Sequence, residues 1–260
     1  MPRSTPLARV LLLLAAVLVL RDGAAAQVPQ VPKYGPAKAP RAVPLSVDHA
    51  YFAGATAPDF WALMPFYVGQ MNDAACSVAS VAMVVNAAVR AGRPGGNEDQ
   101  NITQEALLEK VRAEHWKERV SLLGHLGRHG LALSQLAATC EQALRAFGAA
   151  GARVSFAAAD GTGEGLARFR SALEENERSA HDAILVHFVQ DELTDAPGGP
   201  YPHISPIGAY DAASKRVLVL DVDRRWYEPY WVADELLWKA MSRSTLPFGA
   251  GGWVLARFGN

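Results

Sequence analysis

"QMNDAACSVASVAMVVNAA", residues 70–88, opens on polar and small side chains and then runs on in small, mostly apolar ones. The change falls at Cys76, one of two cysteines in the chain. Val78, Val81, Ala82, Val85 and Val89 recur at helical spacing; Asn72 or Asp73 can cap the first turn, and Gly92 and Pro94 end the helix. A thiol at a helix start is either a small apolar filler or a nucleophile. There it meets the positive end of the helix dipole, which favours thiolate. Its own N–H has no intrahelical partner and can face a developing oxyanion. Gln70, six residues earlier, can supply a second donor from its side chain.

Downstream the pattern stays helical before its period changes. "NITQEALLEKVRAEHW" (101–116) reads as a helix with Asn101 at the cap and Gln104 three residues on. Two more helices are expected over 134–147 and 164–178. Then come strand candidates: "HDAILVHFV" (181–189), "PHISPIGAY" (202–210), "KRVLVLDVD" (215–223) and "GGWVLARF" (251–258). Helices followed by hairpin-connected strands indicate an α+β fold, not an alternating parallel one. If Tyr210 pairs with Ser214 across a three-residue loop, His203 faces Asp221 directly, with Cβ atoms about 5 Å apart. Alone, His203 reads as a surface histidine at a strand end and Asp221 as a solvated charge. Asp221, however, interrupts the apolar run "VLVLDV", where an unpaired carboxylate is costly. Paired, the two make an oriented general base. Cys76, His203, Asp221 and Gln70 together are a nucleophile, base, orienting acid and oxyanion donor for acyl transfer.

The 260 residues, half of them apolar, suffice for one core without metal or disulfides, and a net charge of −1 gives no footprint for nucleic acid. Residues 1–26 carry Arg3 and Arg9, an apolar run from Val10 to Leu20 and Ala24–Ala26. This is the layout of a cleavable signal peptide, and the run is too short to span a bilayer. The expectation is an exported, periplasmic or extracellular protein with no stable membrane insertion. Residues 27–46 read as a proline-rich leader, and 47–260 as the catalytic domain. Export leaves a Cys76–Cys140 disulfide open, although Cys140 lies in an apolar helical stripe with Leu133, Leu136, Leu144 and Phe147.

The pattern Q-x5-C-x-V-A-S-x-x-M-V-x-N from Gln70 to Asn86 is followed by H-x-S-P-I-G-x-Y from His203 to Tyr210. L-D-V-x-R-x-x-Y-x-P-x-W-V from Leu220 to Val232, and "LLWKAM" at 236–241, complete the set. Together these resemble the catalytic domain of the phytochelatin synthase family, a papain-like clan acting on glutathione. The resemblance implies a helical subdomain carrying the nucleophile, packed on an antiparallel sheet carrying His203 and Asp221. It implies that Cys76 attacks the Cys–Gly carbonyl of glutathione, His203 moves the proton, Asp221 holds the imidazole, and Gln70 with the Cys76 N–H stabilises the oxyanion. Arg224 becomes a candidate for binding a glutathione carboxylate, against the reading of a solvated arginine. Tyr210 is a substrate-side candidate, with packing the weightier reading for it and for Ser77 and Ser80.

Ser77 stands where the family usually has glycine, and Asp223, Arg225 and Trp226 depart from its more neutral stretch. No cysteine follows Cys140, whereas plant members carry a cysteine-rich region. The resemblance is therefore to the bacterial single-domain type, with glycine release favoured over polymer synthesis. No fixed cofactor or protein-borne metal site is expected; cadmium or zinc would enter as glutathione thiolates. The family also implies a homodimer. Two readings stay beside this one: an exported cysteine peptidase on other small peptides, and a catalytically silent binding domain.

Overall fold

The structure is a computed structural model and describes residues 41–92 and 101–258. The signal peptide and most of the leader expected from the sequence lie outside the described residues. In chain order the elements are β1 (Val43–Pro44), α1 (Pro58–Leu63), α2 (Cys76–Gly92), α3 (Gln104–Lys110), α4 (Trp116–Arg119) and α5 (Leu133–Ala146). They continue as β2 (Arg153–Ala158), α6 (Gly163–Asn176), β3 (Asp182–Val189), α7 (Gln190–Thr194), β4 (Pro202–Asp211) and β5 (Arg216–Val219). β6 (Tyr230–Ala233), α8 (Asp234–Ser242) and β7 (Gly252–Arg257) close the order. Seven strands form one sheet in the order β1-β6-β5-β4-β3-β7-β2, every neighbouring pair antiparallel. The α+β class expected from the sequence is the class observed. Val43–Pro44, ahead of the start expected at Val47, already pairs with Trp231 and Tyr230.

The sheet is covered on both faces. One core joins α2, α3 and α5 to Ala183, Leu185, Ile204, Ala209 and Val254. The other joins Phe169 and Leu173 of α6 and Leu237 and Met241 of α8 to Ile184, Val186, Phe188 and Val219. The inner residues of β3 therefore alternate between two apolar layers, and all eight of its residues are buried.

α2 is more deeply set than a one-sided amphipathic helix. Its thirteen residues from Cys76 to Ala88 are all buried, the condition of a helix enclosed on every side. The polar members of that run are hydrogen-bonded, as burial demands. Ser77 Oγ accepts from Trp116 Nε1–H (2.9 Å), Ser80 Oγ donates to the Ile204 carbonyl (2.9 Å), and Asn86 Nδ2 donates to the carbonyls of Ala82 and Ile102.

Two expectations are corrected. The helix expected over 101–116 ends at Lys110, because Val111 is extended (φ −99°, ψ 120°). Its cap is Thr103, whose Oγ1 accepts from Ala106 N–H (3.2 Å), in place of Asn101. The hairpin register is also different: Tyr210 pairs with Val217, not Ser214, and Asp211 with Arg216. Residues 212–215 make a four-residue turn in which Asp211 Oδ1 accepts from the N–H groups of Ala213 and Ser214. An Asx turn of this kind outcompetes the shorter loop. At Gly208 the ladder slips to Ile207 opposite Val219; a Cβ there would come within 2.8 Å of the Leu220 side chain, so the bulge needs glycine.

Candidate active site

β5 ends at Val219, two residues before Asp221, so Asp221 is no ladder partner of His203. The chain beyond the strand nevertheless brings the two side chains together: His203 Nε2 lies 2.9 Å from Asp221 Oδ1. Both are buried, His203 6% and Asp221 0% exposed. The carboxylate is held from every side. Oδ2 accepts from Tyr230 Oη–H (2.7 Å) and Gln190 Nε2–H (3.0 Å), and Oδ1 accepts also from Asp223 N–H (2.9 Å). Burial alone would raise the Asp221 carboxyl. The adjacent His203 charge and the bonds from His203, Gln190 and the Asp223 N–H instead hold it below its usual range.

Burial also disfavours a charged imidazole at His203. The Asp221 carboxylate, and the Cys76 side chain within hydrogen-bonding reach, outweigh it and raise the pKa. Since Asp221 occupies Nε2, Nδ1 is the ring nitrogen left for Cys76. Phe188, the ladder partner of His203, meets the ring edge-on with centroids 5.6 Å apart, which fixes its plane. Cys76 is the first residue of α2 and 8% exposed. It and Cys140 are both free thiols. Cys140 is enclosed in the core, where burial pushes its thiol up to about 12.

The segment before Cys76 is laced to the segment carrying Asp221. Tyr67 Oη–H donates to the Asp221 carbonyl (2.6 Å), and Gln70 N–H donates to the Val222 carbonyl (2.8 Å). Gln104 clasps the same loop, accepting from Met71 N–H (3.2 Å) and donating to the Gly69 carbonyl (2.9 Å). Asn72 Nδ2 ties the loop to the Val120 carbonyl (3.0 Å). Gln70 thus stands on a backbone tied to the segment that carries Asp221, and its Oε1 is buried without a partner. Among the described residues no group of three His, Cys, Asp or Glu side chains could hold a metal ion, and no helix is long and apolar enough to cross a membrane.

The two substrate-side candidates fare differently. Arg224 is exposed, with its guanidinium over the Tyr67 ring, 4.8 Å from its centroid. Tyr210 is buried in the second core, its hydroxyl donated to Asp234 Oδ2 (2.9 Å), a carboxylate that Arg170 grips with two bonds. The structure therefore places Tyr210 as a packing residue and does not bring it to Cys76. Sequence reasoning missed Tyr230, Gln190, Tyr67 and Gln104. Gln190 carried a weak signal, a polar side chain directly after an apolar strand; Tyr67 and Gln104 carried none, because their partners are backbone groups distant in sequence.

The chain matches the phytochelatin synthase family model over residues 48–245. It is 29% identical over 195 residues to glutathione gamma-glutamylcysteinyltransferase 1 of Triticum aestivum, a match covering 73% of this chain and 34% of the relative. It is 25% identical over 193 residues to the protein of that name from Lotus japonicus, covering 72% and 33%. A 40-residue stretch is 55% identical to glutathione gamma-glutamylcysteinyltransferase 3 of Lotus japonicus, covering 15% and 8%. The chain thus spans about a third of the length of the longer-matched relatives. With a family model covering most of its length and Cys76, His203 and Asp221 gathered at the start of α2, the chain belongs to the phytochelatin synthase family.

Proposed function

We propose that the protein is a glutathione gamma-glutamylcysteinyltransferase-like enzyme that cleaves the Cys–Gly bond of glutathione through a thioester on Cys76. His203 takes the thiol proton as sulfur attacks the carbonyl carbon. The Cys76 N–H and the Gln70 amide stabilise the oxyanion, and His203 passes its proton to the departing glycine nitrogen. The thioester then goes to water, giving γ-Glu-Cys, or to the amine of a second glutathione, lengthening the peptide. Asp221 keeps the imidazole oriented and stabilises its charged form. Arg224 binds a glutathione carboxylate in this reading, which its exposure and its seat over the Tyr67 ring support. Heavy-metal ions enter as glutathione thiolates, that is, as part of a substrate. The N-terminal apolar run supports export, which sets this chemistry on glutathione outside the cytoplasm.

The observation that carries the reading is the 2.9 Å contact of His203 Nε2 with a fully buried Asp221, with the other ring nitrogen left for Cys76. Incubation with glutathione, with and without cadmium, followed by mass spectrometry tests it. Glycine release that disappears in Cys76→Ala supports the thioester; (γ-Glu-Cys)-repeat products add transfer, and γ-Glu-Cys alone makes the enzyme a hydrolase. No glycine release would overturn the assignment of glutathione.

A further inference from the structure

The loop between α4 and α5 puts leucine where both solvent and backbone oppose it. Its base is closed by the Gly130 N–H donating to the Arg119 carbonyl (3.3 Å). His125 and Arg128 exchange both backbone hydrogen bonds, at 3.0 Å each. Leu126 and Gly127 are left as a two-residue turn with φ of 52° and 71°. A type I′ turn requires that left-handed pair; asparagine, aspartate or glycine is favoured at its first position and leucine is not. Gly124 folds the chain tightly beneath the tip, where a Cβ would come within 2.7 Å of the Arg128 carbonyl oxygen. The rings of His115 and His125 stack with centroids 3.9 Å apart and hold the loop to the segment ahead of α4. On this ordered support Leu122, Leu123 and Leu126 are 92%, 85% and 87% exposed. A second turn, closed by Thr245 and Gly249 and packed on Gly130 through Phe248, adds Leu246 at 97%. Single exposed leucines are ordinary, but a cluster of them on built turn tips calls for a partner.

We propose that this loop is a peripheral docking element for an anionic phospholipid surface, its leucines entering the boundary of headgroups and acyl chains and Arg128 meeting the phosphates. Charge around the leucines has one sign. From Arg119 to Cys140 the sequence contains no acid, and Arg128 and His129 are exposed beside the tip. Of the acids just upstream, Glu114 accepts from Gln135 Nε2–H (2.7 Å) and Glu118 sits on α4 at the loop's foot. Side chains this exposed have no walls around them, so they form no groove for a peptide. Three leucines on a turn also fall well short of the roughly 20–30 residues a side of a stable protein interface. A second copy docked symmetrically through the same tip would set Arg128 against its own equivalent. Among the described residues no helix is long and apolar enough to cross a membrane, so the contact is peripheral. The inference does not depend on the acyl-transfer reading of Cys76.

The test places an environment-sensitive NBD fluorophore on the tip of the full chain, using Leu126→Cys in a Cys76→Ala background; Cys140, enclosed in the core, escapes labelling. The label reads the tip itself, whatever else in the chain touches lipid. Mixed phosphatidylcholine–phosphatidylglycerol vesicles should shift its emission to the blue, phosphatidylcholine alone should do so far less, and added salt should weaken the response. The lipid concentration at half-saturation should rise roughly ten-fold in Leu122→Ser/Leu123→Ser and about five-fold in Arg128→Gln. Tm should stay as in the parent, since all three side chains are exposed. An unshifted label on the mixed vesicles, an equal shift on phosphatidylcholine alone, or a half-saturation that the serine pair leaves unmoved would overturn the inference. A blue shift without lipid that grows with protein concentration would overturn it too, because the tip would then meet another copy of the chain.

Discussion

Tyr230→Phe removes one hydroxyl and leaves everything that touches substrate in place. That hydroxyl donates to Asp221 Oδ2 at 2.7 Å from a ring only 2% exposed. Gln190 Nε2 is the second donor to the same oxygen, and no bulk water can replace the first at a carboxylate 0% exposed. A hydrogen bond to a charged buried group is worth about 1.5–3 kcal/mol. For a folded unit of this size that corresponds to a fall in Tm of roughly 3–12 °C. The substitution should also be felt at Cys76. With one donor fewer, Asp221 holds its charge less well, its pKa climbs, and the imidazole loses its anchor at lower acidity than before. The acid limb of the rate of Cys76 alkylation by iodoacetamide therefore moves to higher pH. Calorimetry and an alkylation profile from pH 4 to 8 measure both effects without assuming a substrate. A Tm within 1 °C of wild type, with an unmoved acid limb, would mean that Tyr230 neither stabilises the acid nor tunes the base, and the account of the site given above would fail.

Other consequences follow from single residues. Gln70→Ala should lower the rate of glycine release by roughly 10²–10³-fold while the alkylation rate of Cys76 stays as in wild type; a matching fall in alkylation would place Gln70 with the nucleophile and not with the oxyanion. Cys140→Ala should cost roughly 0.5–3 kcal/mol in urea unfolding with glycine release retained, and native Cys140, 0% exposed, should resist iodoacetamide until the protein unfolds. Asp59 is 1% exposed, and burial, with Glu177 and Asp182 nearby, pushes its carboxyl up to about 10 from 3.8. The folded state then holds a proton that the unfolded state has released, so this group's contribution to stability is lost as pH rises from about 4 towards about 10. Asp59→Asn should flatten the decline in Tm over that window, and an unchanged slope would show that Asp59 is ionised in the folded protein.

The long elements were legible because their patterns are local. α2, α5, α6, β3, β4 and β7 each carry a periodic apolar run long enough to declare its type, and helices preceding a hairpin-linked run of strands pointed to the α+β class. The elements that escaped are short or depend on the sheet for their order. β2 (Arg153–Ala158) shows little apolar contrast, and β6 (Tyr230–Ala233) has four residues. Helix caps failed for a related reason. Asn101 and Gln104 fit the pattern of a capping box, but Gln104 gains more by clasping Gly69 and Met71, and Thr103 takes the cap. A motif read along the chain has no knowledge of a loop thirty residues earlier that needs the same side chain.

The pairing of His203 with Asp221 is the instructive case, since the register used to anticipate it was three residues out. Tyr210 faces Val217, and the bulge at Gly208 recovers one position but not the rest. The two side chains meet because Asp221 has left the ladder. Its position is fixed by Tyr67 on its carbonyl, by the Gln70 N–H on the Val222 carbonyl, and by Tyr230 and Gln190 on its carboxylate. What anticipated the pair correctly was energy: a carboxylate inside "VLVLDV" must be buried, and a buried carboxylate must find a partner. That argument is indifferent to strand register, whereas the geometric one depended on the length of a turn. The lacing also has a mechanistic consequence. The segment leading to the nucleophile and the segment holding the acid share two hydrogen bonds, so a shift of either carries the other with it, and the spacing of Cys76, His203 and Asp221 is set by that seam and not by the hairpin.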